Sequence, residues 1–149
     1  MKSDFAFIYP HRVRWVECDP QWVVFNGHYL TFFDVAITEY AQAVGLPGVV
    51  SQQKAGQQFF ARKATIEYHL PAQYDDELDI GVRVATLGHS SVRFVLEIYR
   101  AETLITSGEL VYVYFDTAAG SSLQLPESQR QAVRVFERLE VEQAPLKKQ

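Results

Sequence analysis

The sequence predicts an α+β fold in which a curved antiparallel sheet wraps around one long central helix. Two observations carry this. Tyr29, Phe32, Phe33, Ala36, Ile37, Tyr40, Ala41 and Val44 recur at helical spacing, and four runs of strand period follow them, joined by short polar turns. One apolar helix beside consecutive strands buries its wide stripe only if the sheet curls around it. The 149 residues, 48% of them hydrophobic, suit a single domain. Its core is expected over about 12–116, with a C-terminal helix over about 126–139.

Taken in order, Arg12 to Glu17 alternates and reads as a first strand. Asn26 is a good N-cap for a helix that Gly45 and Pro47 stop, roughly 27 Å long at about 1.5 Å per residue. The Gln-rich stretch Gly48 to Phe60 is expected to be a mobile connection. Ala64, Ile66, Tyr68 and Leu70 then alternate with Lys63, Thr65, Glu67 and His69, the period of a half-buried strand. Leu78 to Val84, Val92 to Arg100 and Leu104 to Phe115 repeat the pattern. Their short connections predict an antiparallel meander, and Gly108 predicts a bulge or bend that helps the sheet curl. Pro126 suits the first turn of a second helix reaching Leu139, and 144–149 is expected to fray.

The balance of 14 basic against 18 acidic residues gives a net charge of −4, which argues against a nucleic-acid partner. A single cysteine makes no intrachain disulfide, and no apolar run has the length of a membrane span. These features predict a cytoplasmic protein without a membrane partner. His11, His28, His69 and His89 are scattered without ligand spacing, so no metal site and no cofactor are expected.

Asp19 stands seven positions before Asn26, close enough for its carboxylate to face the start of the helix. The first N–H groups of a helix lack intrahelical acceptors and carry partial positive charge, which suits a developing oxyanion. Asp-Pro also initiates turns, so Asp19 has an ordinary structural reading beside the chemical one. The loop between them, Trp22, Val23, Val24 and Phe25, is apolar where loops are usually polar, and reads as a pocket lining. Tyr29 and Phe33 are expected in the core or the pocket wall. Ser90 and Ser91 either contact substrate or satisfy a hairpin turn. Cys18 has no basic partner in sequence, His28 reads as a polar packing residue, and Arg62, Lys63, Arg93 and Arg100 are candidate phosphate ligands.

The run Val13-Arg14-Trp15-Val16-Glu17-Cys18-Asp19-Pro20, continuing through Val23-Val24-Phe25 to Tyr29, Phe33 and Gly45-Leu46-Pro47, resembles the hotdog-fold acyl-CoA thioesterases of the 4-hydroxybenzoyl-CoA thioesterase type. Tyr68-His69-Leu70-Pro71-Ala72, Asp75-Asp76-Glu77-Leu78, Ser90-Ser91 and Glu97-Ile98-Tyr99-Arg100 extend the likeness in order. The resemblance implies a hotdog fold, paired as a homodimer or homotetramer with active sites between subunits. It implies hydrolysis of an acyl-CoA with Asp19 as nucleophile or general base and the Asn26 backbone N–H polarising the thioester carbonyl. Trp22 stands where relatives often carry Gly, and Glu17 where they often carry Asp. The competing expectations are a hotdog hydratase or dehydratase, whose His-plus-acid motif is missing here, and a non-catalytic acyl-ligand binding module, which Asp19 opposes.

Overall fold

A computed structural model describes residues 1–144, apart from the side chains at positions 49 and 50. Helix α1 spans His28–Val44 and turns Tyr29, Phe32, Phe33, Ala36, Ile37 and Tyr40 inward, the stripe expected from spacing. It begins two residues later than Asn26. Asn26 and Gly27 form a turn in which the His28 N–H bonds the Phe25 carbonyl at 3.0 Å, and Gly27 holds the cap position without a side-chain cap. At the other end Gly45 adopts φ 82°, a left-handed conformation that glycine takes without steric cost.

Strands β1 (Phe7–Arg12), β2 (Gln57–Tyr68), β3 (Glu77–Leu87), β4 (Ser91–Arg100) and β5 (Thr103–Asp116) form one antiparallel path in the order β1-β3-β4-β5-β2. Short β6 (Ser121–Ser122) pairs with β5, and β7 (Glu142–Gln143) runs parallel to β3. Helix α2 (Val49–Lys54) precedes β2, and α3 (Glu127–Phe136) follows β6. The inward residues of β3, Leu78, Ile80, Val82 and Val84, are buried in one cluster with Leu96 and Ile98 of β4 and the apolar face of α1. The α+β class and the curved sheet around one long helix therefore stand. Among the described residues no helix is long and apolar enough to cross a membrane.

Other expectations are corrected. The first strand is Phe7–Arg12, whereas Trp15–Glu17 is a 3-10 turn. The alternation over Arg12 to Glu17 is broken because Val13 bonds Asp75 and Asp76, and the Glu17 carboxylate closes the turn by accepting the Arg14 N–H at 2.7 Å. The meander holds only for β3, β4 and β5. β2 lies beside β5 and not β3, because residues 69–76 form a crossover whose first N–H groups, those of His69 and Leu70, both bond the Ile105 carbonyl. The Gln-rich connection contains α2 and the first four residues of β2. Gly108 is no bulge, since its pairing with Ile66 and Leu96 runs without a register shift. It is a close approach instead: a Cβ there would lie 2.7 Å from the Phe33 ring and from the Thr65 carbonyl.

The C-terminal helix ends at Phe136, short of Leu139, and it buries Val133. The tail expected over 144–149 lies, beyond Ala144, outside the described residues. β1 and β2 are the two edges of the path, and β2 is exposed along most of its length. Arg62 falls at the register shift between Ala61 and Lys63, so β2 carries its irregularity in mid-strand.

Candidate active site

The segment between β1 and α1 is pinned at its neck. Cys18 and Val24 form an antiparallel bridge, and the Phe25 N–H bonds the Glu17 carbonyl at 3.0 Å. Inside that neck, the Asp19 N–H bonds the Val23 carbonyl and the Trp22 N–H bonds the Asp19 carbonyl. One Asp19 carboxylate oxygen accepts the Gln21 N–H at 2.8 Å. The turn reading of Asp-Pro is thus present in the molecule, and it fixes the carboxylate through Oδ1 while Oδ2 has no partner among the described residues. Trp22 sits at φ 64°, the left-handed region that glycine occupies without steric cost and a bulky side chain rarely adopts. Its indole is exposed and packs on Trp15 at 5.1 Å between ring centroids, with Tyr74 at 5.5 Å beyond.

Glu17 organises this loop, a role that the sequence reading missed. It is 4% exposed, and its carboxylate accepts the Arg14 N–H at 2.7 Å, His11 Nε2 at 3.0 Å and the Arg14 guanidinium at 3.4 Å. Burial alone would push its carboxyl up, but Arg14 and His11 together hold it below the usual carboxylate range. The available signal was charge at an apolar position of an alternating run. For Cys18, burial and the neighbouring Glu17 and Asp19 charges push the thiol up, against a nucleophilic role.

At the start of α1, the N–H groups of Asn26 and Gly27 have no acceptor among the described residues, whereas the Asn26 carbonyl accepts the Tyr68 hydroxyl at 3.0 Å. A small cavity of about 250 Å³ opens here, lined by Val24, Asn26, Tyr29, Tyr68 and residues 69–71. Tyr29 thus lines it, and its hydroxyl accepts the Ala72 N–H at 3.1 Å. Phe33 is fully buried against Gly108 and stays in the core. Val23 bridges Gln73, and Phe25 is exposed with His28 edge-on at 5.5 Å. Asp19 does not line this cavity.

Ser90 and Ser91 are not brought to Asp19 within the chain. They lie where β4 begins, while the loop holding Ala72 and Asp76 meets Arg100 at its end, about 30 Å away at roughly 3.3 Å per residue. Of the candidate phosphate ligands, Arg93 is taken by Thr86 and Glu109, and Arg100 by Asp76 and the Pro71 carbonyl. Arg62 and Lys63 are exposed on β2. Among the described residues no group of three or more His, Cys, Asp or Glu is placed to hold a metal.

The family model of the thioesterase superfamily matches residues 22–107. The acyl-CoA thioester hydrolase YbgC of Escherichia coli O6:H1 is 30% identical over 125 residues, covering 82% of this chain and 91% of that protein. The acyl-CoA thioesterase YbgC of Haemophilus influenzae is 22% identical over 129 residues, 87% of this chain and 95% of its own length. Among solved structures, a thioesterase of Thermus thermophilus complexed with coenzyme A and zinc superposes with a TM-score of 0.80 at 25% identity, over 93% of this chain and 98% of that one. The DHNA-CoA thioesterase of Staphylococcus aureus superposes equally well, TM-score 0.80 over 90% of this chain and 97% of that one, at 18% identity, a likeness of fold alone.

Proposed function

This chain belongs to the thioesterase superfamily, and from that premise we propose that it hydrolyses an acyl-CoA thioester to the free acid and CoA, with Asp19 and the Asn26 backbone N–H as its reacting groups. The observation that carries this reading is the pinned loop: among the described residues, a carboxylate with one oxygen unpartnered and a main-chain N–H without an acceptor stand at the two ends of one closed segment. The Asn26 N–H stabilises the oxyanion that forms as the thioester carbonyl is attacked, a contribution of about 3–4 kcal/mol for such donors. Because the donor is main chain, the Asn side chain is dispensable.

Two routes use Asp19. As nucleophile, its oxygen bonds the carbonyl carbon, the C–S bond breaks and CoA leaves as the thiolate; water then hydrolyses the acyl–aspartyl anhydride. As general base, it takes a proton from the water that attacks the same carbon. Single-turnover quenching with labelled acyl-CoA separates them, since only the first route accumulates an acyl adduct on Asp19.

The acyl-CoA ligand follows from the names of the relatives and from the coenzyme A bound in the Thermus thermophilus thioesterase. The working unit is a homodimer, or a homotetramer of two dimers, because the exposed β2 edge leaves a row of backbone groups that a second copy would pair. An Asp19→Asn variant tests the assignment. It should stay folded and associated, with hydrolysis across an acyl-CoA panel lowered at least about 100-fold. Wild-type turnover in a folded Asp19→Asn protein would overturn it.

A further inference from the structure

A second cavity, larger than the one beside Asn26, lies elsewhere. About 800 Å³ of space lies between the C-terminal half of α1, the starts of β2 and β4, the end of β3, and α3. That is within the roughly 300–1,000 Å³ of small-molecule sites. Its walls are largely apolar, with Ile37, Phe59, Leu87, Val92, Phe94 and Val133 among them. No residue before Asp34 lines it, and it shares no lining residue with the cavity beside Asn26. It is therefore separate from the Asp19 loop.

One side chain gives this cavity a charged wall. Arg130 of α3 lines it and is only 2% exposed. Its Nε donates to the Leu125 carbonyl at 3.3 Å, and its Nη2 donates to the Gly88 carbonyl and, at 3.3 Å, to that of His89. These bonds tie α3 to the β3–β4 turn and explain two of the three nitrogens. Nη1 has no partner, and no carboxylate pairs with the guanidinium, among the described residues. The cavity's one carboxylate, Asp34, is exposed and accepts the Tyr112 hydroxyl at 2.5 Å. Nη1 is not among the buried side-chain atoms that lack a partner, so it stays open to the cavity space, where an entering anion would pair with it. Guanidinium is the side chain best suited to grip a carboxylate.

We propose that this cavity is a second ligand site, for a carboxylate bearing an alkyl tail, with the head group on Arg130 and the tail against the apolar walls. The proposal is independent of hydrolysis at Asp19, although a free carboxylic acid is also what thioester hydrolysis releases. Calorimetric titration of the full chain with octanoate, below its micellar concentration, is compared with 1-octanol, which keeps the tail and lacks the charge. Octanoate should bind one per chain, at least tenfold more tightly than octanol. Ala41→Phe, which fills the space, should abolish binding; Ala41→Leu serves if the larger ring impairs folding. Arg130→Lys should weaken octanoate and leave octanol unchanged. Asp19→Asn should bind octanoate as the wild type does, which separates this site from the hydrolytic one. Equal affinity for octanol and octanoate, binding that survives in the filled cavity, or binding lost with Asp19→Asn would each overturn the proposal.

Discussion

The two ends of α1 treat a buried acid in opposite ways. Near the N-terminal end, Glu17 is surrounded by donors from Arg14 and His11, which outweigh burial and keep it ionised. Near the C-terminal half, Glu137 accepts the Tyr40 hydroxyl at 2.5 Å and the Val84 N–H at 2.8 Å through the same oxygen, and its second oxygen is buried without a partner. Burial pushes the Glu137 carboxyl up, and burial together with Glu137 pushes the Tyr40 hydroxyl up. The contrast teaches where the chain fixes geometry with charge. The loop that carries Asp19 is built around a satisfied carboxylate, whereas the cavity end tolerates a poorly satisfied one.

Removing the first of these acids should have the largest effect. Glu17→Ala leaves the Arg14 N–H and the His11 ring without their buried acceptor, and about 3 kcal/mol of stability should be lost in urea unfolding. Hydrolysis should fall with it under conditions where the variant remains folded, because the neck of the Asp19 loop is no longer braced. A packing defect midway along the helix gives the uncharged reference. Gly108→Ala drives a methyl into the Phe33 ring and the Thr65 carbonyl, and should cost about 2 kcal/mol by the same measurement, without altering the pH dependence.

The two acids should also titrate stability with opposite signs. Glu17 has a folded-state value below the ordinary 4.5, so its contribution is present above that pH and is lost as pH falls through the depressed value. Glu137 has a raised value, so its contribution is complete below about pH 4.5 and is lost as pH rises through the folded-state value. Unfolding free energies of Glu17→Gln and Glu137→Gln, each subtracted from wild type across pH 3–8, should therefore slope in opposite directions. Parallel slopes would break the comparison. Glu137→Gln itself keeps the acceptor for Tyr40 and Val84 and should lie within about 1 kcal/mol of wild type at neutral pH.

Trp22→Gly should matter least. It relieves a left-handed residue, worth about 1–2 kcal/mol, and loses an aromatic contact worth about 0.5–1.5 kcal/mol. The net change should stay within about 1 kcal/mol in thermal unfolding. A loss beyond about 2 kcal/mol would make Trp22 a packing anchor of the loop.

The central helix and the strands β3, β4 and β5 were legible because their periodicity follows directly from burial of one face. β1 was not, since Phe7–Arg12 contains Pro10, which reads as a breaker but is tolerated on an edge strand. The place of β2 was hidden as well. A short link argues for neighbouring strands, and nothing local in 69–76 announces that His69 and Leu70 will bind Ile105 across the sheet. Asp19, Asn26 and Tyr29 were singled out from spacing, capping and the ordered resemblance, and the cap itself falls one residue later, at Gly27. Glu17 and Arg130 were not: a 3-10 turn in place of the expected strand brings Arg14 and His11 onto Glu17, and Arg130 meets the Gly88 and His89 carbonyls from far along the chain.

Both tryptophans of the chain, Trp15 and Trp22, lie edge to face in the exposed patch flanking Asp19. Indole emission from this protein is therefore a local signal from one loop, with no tryptophan in the core to contribute. A denaturation curve followed by that emission reports when the loop opens, and one followed by far-ultraviolet circular dichroism reports when the sheet and helix melt. Any gap between the two curves measures how far the loop is decoupled from the fold beneath it.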